Sequence, residues 1–146
     1  MTVSKSEYSE LVKKASPNSK SVVDTLKAFV IGGIICCIGQ GFIQLYTYMG
    51  IEEKDASTWA TVSLIFLSAL LTGLGVYDKI AKHGGAGTLV PVTGFANSVA
   101  SPAVEFKSEG YVLGLGAKIF IISGPVILYG TAASVIYGLI YYFFAR

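Results

Sequence analysis

The apolar positions of this chain gather into long uncharged runs, without the alternation or one-sided stripes of a water-soluble domain. From Ala28 to Met49 no charged residue occurs. Twenty-two residues at 1.5 Å each reach about 33 Å, enough for a hydrocarbon core of about 30 Å, so a spanning helix is predicted over 28–49. A second uncharged run, Thr58 to Tyr77, carries Trp59 and Tyr77 at its ends, where interfacial aromatic belts place such rings. It is predicted to span over 58–77. Residues 1–27 are polar, with Lys5, Lys13, Lys14, Lys20 and Lys27 against Glu7, Glu10 and Asp24. That lead is too long for a signal peptide. It is expected to hold a short surface helix over 5–15, broken by Ser16-Pro17-Asn18-Ser19.

The third uncharged stretch differs. Gly84 to Pro102 contains Pro91 and Gly94, both poor in a helix interior. A broken or re-entrant element is expected, since irregular backbone survives at membrane depth only where protein covers it or water lines it. Ser101-Pro102 then reads as the cap and first position of a new helix. Gly110 to Ala145 is apolar but for Lys118 and, at about 54 Å, too long for one upright span. Either one helix is kinked at Gly124-Pro125, or a membrane-associated helix over 103–123 precedes a span over 126–145; the second arrangement is expected. The pattern therefore predicts an all-α integral membrane protein: a polar segment, 1–27, and one membrane domain, 28–146, with three or four membrane helices and a Gly/Pro-broken element over 84–102.

Composition narrows the function classes. Charged residues make up 14% of the chain and hydrophobic ones 53%, at a mean hydropathy of +0.63, against about 25% charged for a soluble domain. The net charge of +2 offers no field for nucleic acid. Cys36 and Cys37 are adjacent inside an apolar run and read as small hydrophobes. With His83 the sole histidine, no metal-ligand spacing exists. Gly114-Leu115-Gly116-Ala117-Lys118 lacks the glycine separation and the Ser/Thr of a phosphate loop. No catalytic constellation is present, so neither enzyme activity nor a cofactor is expected. Lysines crowd the polar start and the loop Asp78–His83, whereas Glu52, Glu53 and Asp55 occupy the loop between the first two spans. This places the N-terminus in the cytoplasm.

Candidate chemistry lies in the few polar residues of the runs. Gly32, Cys36, Gln40, Gln44 and Tyr48 recur every four residues and share one face of the first helix. That face either packs through its amides or lines a polar path, and Gln40 lies near its middle. Gly33, Cys37 and Gly41, then Gly73 beside Ala69, then Gly130, Ser134 and Gly138 form small-residue rows suited to close helix packing, within the chain or between copies and relatives. Three or four membrane helices seldom enclose a polar path alone, so an oligomer is expected. Lys118 is the sharpest oddity, because a charge deep in a bilayer costs at least about 2.5–3.5 kcal/mol. Either it snorkels to the interface, or it faces a watery cavity or pairs with Glu105, Glu109 or Asp78. Asn97 either fills a helix break or offers donors and acceptors to a solute. Gln40, Gln44, Asn97, Glu105 and Lys118 are thus the solute-path candidates.

One resemblance adds to this reading. Gly32-Gly33-Ile34-Ile35-Cys36 with Ile38-Gly39-Gln40, the phrase from Leu67 to Asp78, Gly85-Ala86-Gly87, the phrase from Val90 to Ser98, and Glu105-Phe106-Lys107-Ser108-Glu109-Gly110 together resemble the SpoVAC/SpoVAEB family of spore membrane proteins. The resemblance covers most of residues 28–120. It implies a subunit of the SpoVA complex in the spore inner membrane, channel-forming, partnered by SpoVAD and SpoVAEB. Its solute would be dipicolinic acid with calcium, taken up in sporulation and released in germination. A planar dianion of that kind suits amides, backbone donors and a lysine along a wet path. It brings no residue roles, so the site candidates rest on spacing alone. A non-conducting membrane scaffold and half of an alternating-access transporter remain the alternatives; no internal duplication is visible for the latter.

Overall fold

A computed structural model describes residues 5–15 and 20–144, and no strand occurs among them. The helices are α1 (Lys5–Ala15), α2 (Ser21–Tyr48), α3 (Glu53–Gly73), α4 (Tyr77–Gly84), α5 (Ala86–Leu89), α6 (Val92–Glu105) and α7 (Ala117–Phe144). A 3₁₀ turn (Lys107–Glu109) and a π-helical stretch (Tyr111–Gly116) join the last two. The expected breaker at 16–19 lies outside the described residues, as do Ala145 and Arg146.

Among the described residues three stretches are long and apolar enough to cross a membrane: Ser21–Tyr48, Glu53–Gly73 and Tyr111–Phe144. The protein is an all-α integral membrane protein. At about 42 Å, α2 exceeds the hydrocarbon thickness, so its first turns, with Asp24 and Lys27, extend beyond it.

The burial pattern is inverted relative to a water-soluble domain. Ser68, Thr72, Thr88, Thr93, Ser98 and Ser123 are buried, whereas the buried hydrophobic residues are confined to Ala56, Ala60, Tyr77 and Ala96. Large apolar side chains such as Phe29, Ile34 and Phe66 face outward. In lipid, apolar surface gains nothing by burial, and helices associate through small residues and hydrogen bonds. Among the described residues every buried side-chain polar atom has a partner.

α2 and α3 form an antiparallel hairpin tied by Tyr46 Oη, 2.7 Å from Ser63 Oγ. The chain then turns back through α4 and α5 to the start of α2. There Gly87 lies so close to Ala28 that a Cβ would strike the Ala28 carbonyl oxygen. Gly85 makes the intervening turn at φ +47°, and Pro91 ends the α5 segment in extended backbone. From there α6 descends alongside α3. Ser68 bonds Thr93 and Thr72 bonds Asn97, an advance of four residues on each helix, so the two run in the same direction along their contact. Fourteen residues span about 21 Å, short of a full crossing. Residues 84–102 therefore enter the bundle and return to the end at which α3 finishes.

Two expected breaks are absent. Pro102 lies inside α6 and does not open a new helix, and α7 runs through Gly124-Pro125 without interruption. The separate elements expected over 103–123 and 126–145 are thus replaced by the end of α6, a reversal, and one 28-residue helix. A proline removes one hydrogen bond of the ladder; in a membrane the remaining bonds have no competing water and hold the helix together. The true reversal is at Gly110 (φ +99°), whose carbonyl accepts the Leu115 N–H at 2.9 Å.

Candidate functional site

The α3–α6 seam is built from polar residues spaced four apart on each helix, Ser68 and Thr72 on α3 and Thr93 and Asn97 on α6. Ser68 Oγ donates to the Thr93 carbonyl at 2.6 Å. Thr72 Oγ1 lies 2.7 Å from the Ser68 carbonyl and 2.8 Å from Asn97 Oδ1, so its single proton serves one acceptor at a time. From α4, the buried Tyr77 hydroxyl donates to the Thr88 carbonyl at 2.9 Å and sits 3.2 Å from Thr93 Oγ1. This network locks α3, α4, α5 and α6 into one unit. It also orients Asn97: with its oxygen toward Thr72, the two N–H donors of its amide are turned away from the seam.

Asn97 stands at the junction of two hollows. The larger, about 350 Å³, lies between α6 and the first turns of α7. Asn97, Ser98, Ser101 and Glu105 line one wall, and Lys118, Ile121 and Ile122 the other. The smaller, about 270 Å³, runs from Asn97 past Gly94 and Thr88 to Tyr77 and Ala81. Pro102 borders the larger cleft as well, where it supplies no N–H of its own to the α6 ladder.

Lys118 is half-buried in the second position of α7. Its ammonium sits 4.7 Å from the centroid of the Phe106 ring, a cation–π contact that contributes about 0.5–2 kcal/mol. Both readings of this residue meet here: it is close to a helix end, and it lines a cleft. Among the described residues it forms no ion pair with Glu105, Glu109 or Asp78, although Glu105 faces the same cleft. One ammonium, one carboxylate, the Asn97 amide and the Ser101 hydroxyl thus converge on a space the size of a small molecule, while the Ser98 hydroxyl donates to the Phe95 carbonyl within α6 at 2.7 Å.

The five solute-path candidates separate into two groups. Asn97, Glu105 and Lys118 come together. Gln40 and Gln44 are exposed on α2 and line another hollow, about 410 Å³, with Ile43, Thr47, Tyr48 and Glu53. Nothing joins it to the α6–α7 cleft.

The small-residue rows likewise point outward. A Cβ added at Gly33, Gly41, Gly73, Gly130 or Gly138 would meet nothing within 4 Å, and Cys37 and Ser134 are exposed. The close approaches inside the chain use other glycines: on α2 Gly32, one residue before Gly33, and Gly39, two before Gly41, and on α5 Gly87. Within the single chain those glycine positions are unfilled. Reasoning from sequence missed Ser68, Thr72, Tyr77 and Thr93. The signal was available: Ser68/Thr72 and Thr93/Asn97 are polar pairs at helical spacing in otherwise apolar runs.

With this geometry in place, comparison with known proteins is informative. Residues 24–140 match the model of the SpoVAC/SpoVAEB sporulation membrane protein family. A relative from Bacillus subtilis (strain 168), "Stage V sporulation protein AC", is 46% identical over 147 aligned positions, covering 100% of this chain and 98% of the relative. No solved structure matches.

Proposed function

The chain belongs to the SpoVAC/SpoVAEB family of sporulation membrane proteins, and from that premise we propose that it forms part of a conduit of the SpoVA system. The conduit passes dipicolinic acid, with calcium, across the spore inner membrane, inward during sporulation and outward in germination. The observation that carries this reading is the convergence of Asn97, Ser98, Ser101, Glu105 and Lys118 on one cleft between a re-entrant helix and a spanning one. Lys118, the Asn97 amide and the Ser101 hydroxyl suit the carboxylates of dipicolinate; Glu105 suits its cation. A cleft on one face of three spans is half a passage, so other copies or other SpoVA subunits, with SpoVAD and SpoVAEB the candidates, supply the facing wall. Lysines 20, 27, 79, 82 and 107 at the α2 start and the α3 and α6 ends support a cytoplasmic side there, with the N-terminus on it.

The test is dipicolinate accumulation in sporulating cells that carry Lys118→Met or Lys118→Arg. Loss of one charged contact of about 1.4 kcal/mol slows uptake about tenfold, whereas arginine retains most of it. Accumulation at the parental rate by Lys118→Met, in cells with the complex assembled, contradicts the conduit.

One observation favours a second reading, a scaffold that assembles the complex without lining the path. Residues 125–144 of α7 are exposed throughout, with the Gly130, Ser134 and Gly138 row unfilled. Under that reading Gly130→Leu with Gly138→Leu abolishes assembly, while cleft substitutions leave flux unchanged.

A further inference from the structure

Away from the polar cleft, α2, α3 and α4 enclose a groove of about 290 Å³ whose exposed lining is wholly apolar. Ile31, Ile34, Ile35 and Ile38 of α2 form one wall, and Leu64, Leu67 and Leu71 of α3 the other; Ile80 and Tyr77 close one end. Ser68 and Thr93 also border it, but Ser68 directs its hydroxyl to the Thr93 carbonyl and Thr93 lies beside the Tyr77 hydroxyl. The groove opens sideways between two membrane-spanning helices, where Ile34 and Ile38 remain 54% and 47% exposed.

The closed end is charged just outside the apolar wall. Lys27 lies on the same helical stripe as Ile31 and Ile38, one turn nearer the α2 start. On α4, Lys79 and Lys82 flank Ile80 and are exposed, while Tyr77 and Gly84 are buried and Ile80, 37% exposed, borders the groove; a Cβ at Gly84 would meet Ile31. Asp24, Asp78 and His83 are the other charged or titratable groups nearby on these two helices. His83 Nδ1 is engaged with the Lys79 carbonyl at 2.9 Å. Lys20, Lys27, Lys79 and Lys82 against Asp24 and Asp78 leave the rim positive. α4 is thus a short amphipathic helix with an apolar face on the groove and a basic face at the interface, an arrangement that attracts anionic lipid.

We propose that this groove seats one acyl chain of an anionic phospholipid, with the phosphate beside Lys27, Lys79 and Lys82. The wall shared with Tyr77, Ser68 and Thr93 places that chain against the network that orients Asn97, so the lipid braces the re-entrant segment from its lipid-facing side. A second copy of the protein is disfavoured as occupant, because the groove is narrow and its rim carries like charge on each copy.

The experiment uses the full-length protein in vesicles of phosphatidylcholine and phosphatidylglycerol, one of the two brominated on its acyl chains. Trp59 is the sole native tryptophan; in a Trp59→Phe background, Ile34→Trp or Ile38→Trp reports the groove and Leu139→Trp reports bulk lipid contact on α7. Brominated phosphatidylglycerol is expected to quench the groove tryptophans at lower mole fraction than brominated phosphatidylcholine does. Lys79→Gln with Lys82→Gln, surface changes that leave the apolar wall intact, should weaken that preference by about fivefold for each lysine lost. Leu139→Trp should show no preference. Equal quenching by both lipids at the groove overturns the proposal, as does a preference that survives the lysine changes. Absence of quenching by either lipid means that protein covers the groove, and also overturns it.

Discussion

Thr72 holds two helices with one hydroxyl, bonding its own helix at Ser68 and reaching Asn97 on α6. Thr72→Val keeps the shape and removes the bond, leaving Asn97 without its anchor; a loss of about 1–3 kcal/mol is expected. Tyr77→Phe should fall in the same range, since it strands the buried Thr88 carbonyl. Both are read as lowered thermal midpoints of the purified protein in detergent. The glycines give a sharper contrast. Gly87→Ala forces a Cβ into the Ala28 backbone and should cost about 1–3 kcal/mol. Gly33→Ala and Gly130→Ala meet open space and should be neutral, or stabilise by up to about 1 kcal/mol through helix propensity. If those two weaken association while the folded chain is unaffected, their rows are contacts between chains. At this scale the sequence was only partly readable. Asn97, Glu105 and Lys118 stood out because each is polar in an apolar stretch, and the fold brings them together. Gln40 and Gln44 stood out equally, but helical spacing reveals a face without revealing what it faces.

At the scale of elements, proline and glycine carried different weight in different places. Pro91 separates α5 from α6, standing in extended backbone just before α6 begins. Gly94 and Pro102 lie within α6, and Pro125 within α7, because no water competes for the backbone groups around them. Local propensity could not separate these cases, since the deciding term is what surrounds each residue. The reversal at Gly110 was hidden for a related reason: its apolar neighbours read as one continuous run with α7. The descent of α6 alongside α3 carries a topological consequence. With Cys36 and Cys37 replaced by alanine, cysteines at Lys82 and Ser108 should react with a membrane-impermeant thiol reagent from one side of the membrane, and a cysteine at Ile51 from the other. Labelling of positions 82 and 108 from opposite sides would mean that α6 completes a crossing.

For the whole molecule, the fold class was legible because long uncharged runs leave few alternatives, and the inverted burial follows from the same cause. What no single chain discloses is its surroundings. Residues 125–144 of α7 are exposed along their whole length, a surface on which the assembly proposed above would pack. The central claim is that the α6–α7 cleft is a wet passage for dipicolinate, and modification of a cysteine at Ser101 tests it most directly. In the assembled membrane complex, free of other reactive thiols, a water-soluble thiol reagent should modify Ser101→Cys, dipicolinate should slow that reaction, and modification should block dipicolinate flux. Full modification with flux unchanged would contradict the account.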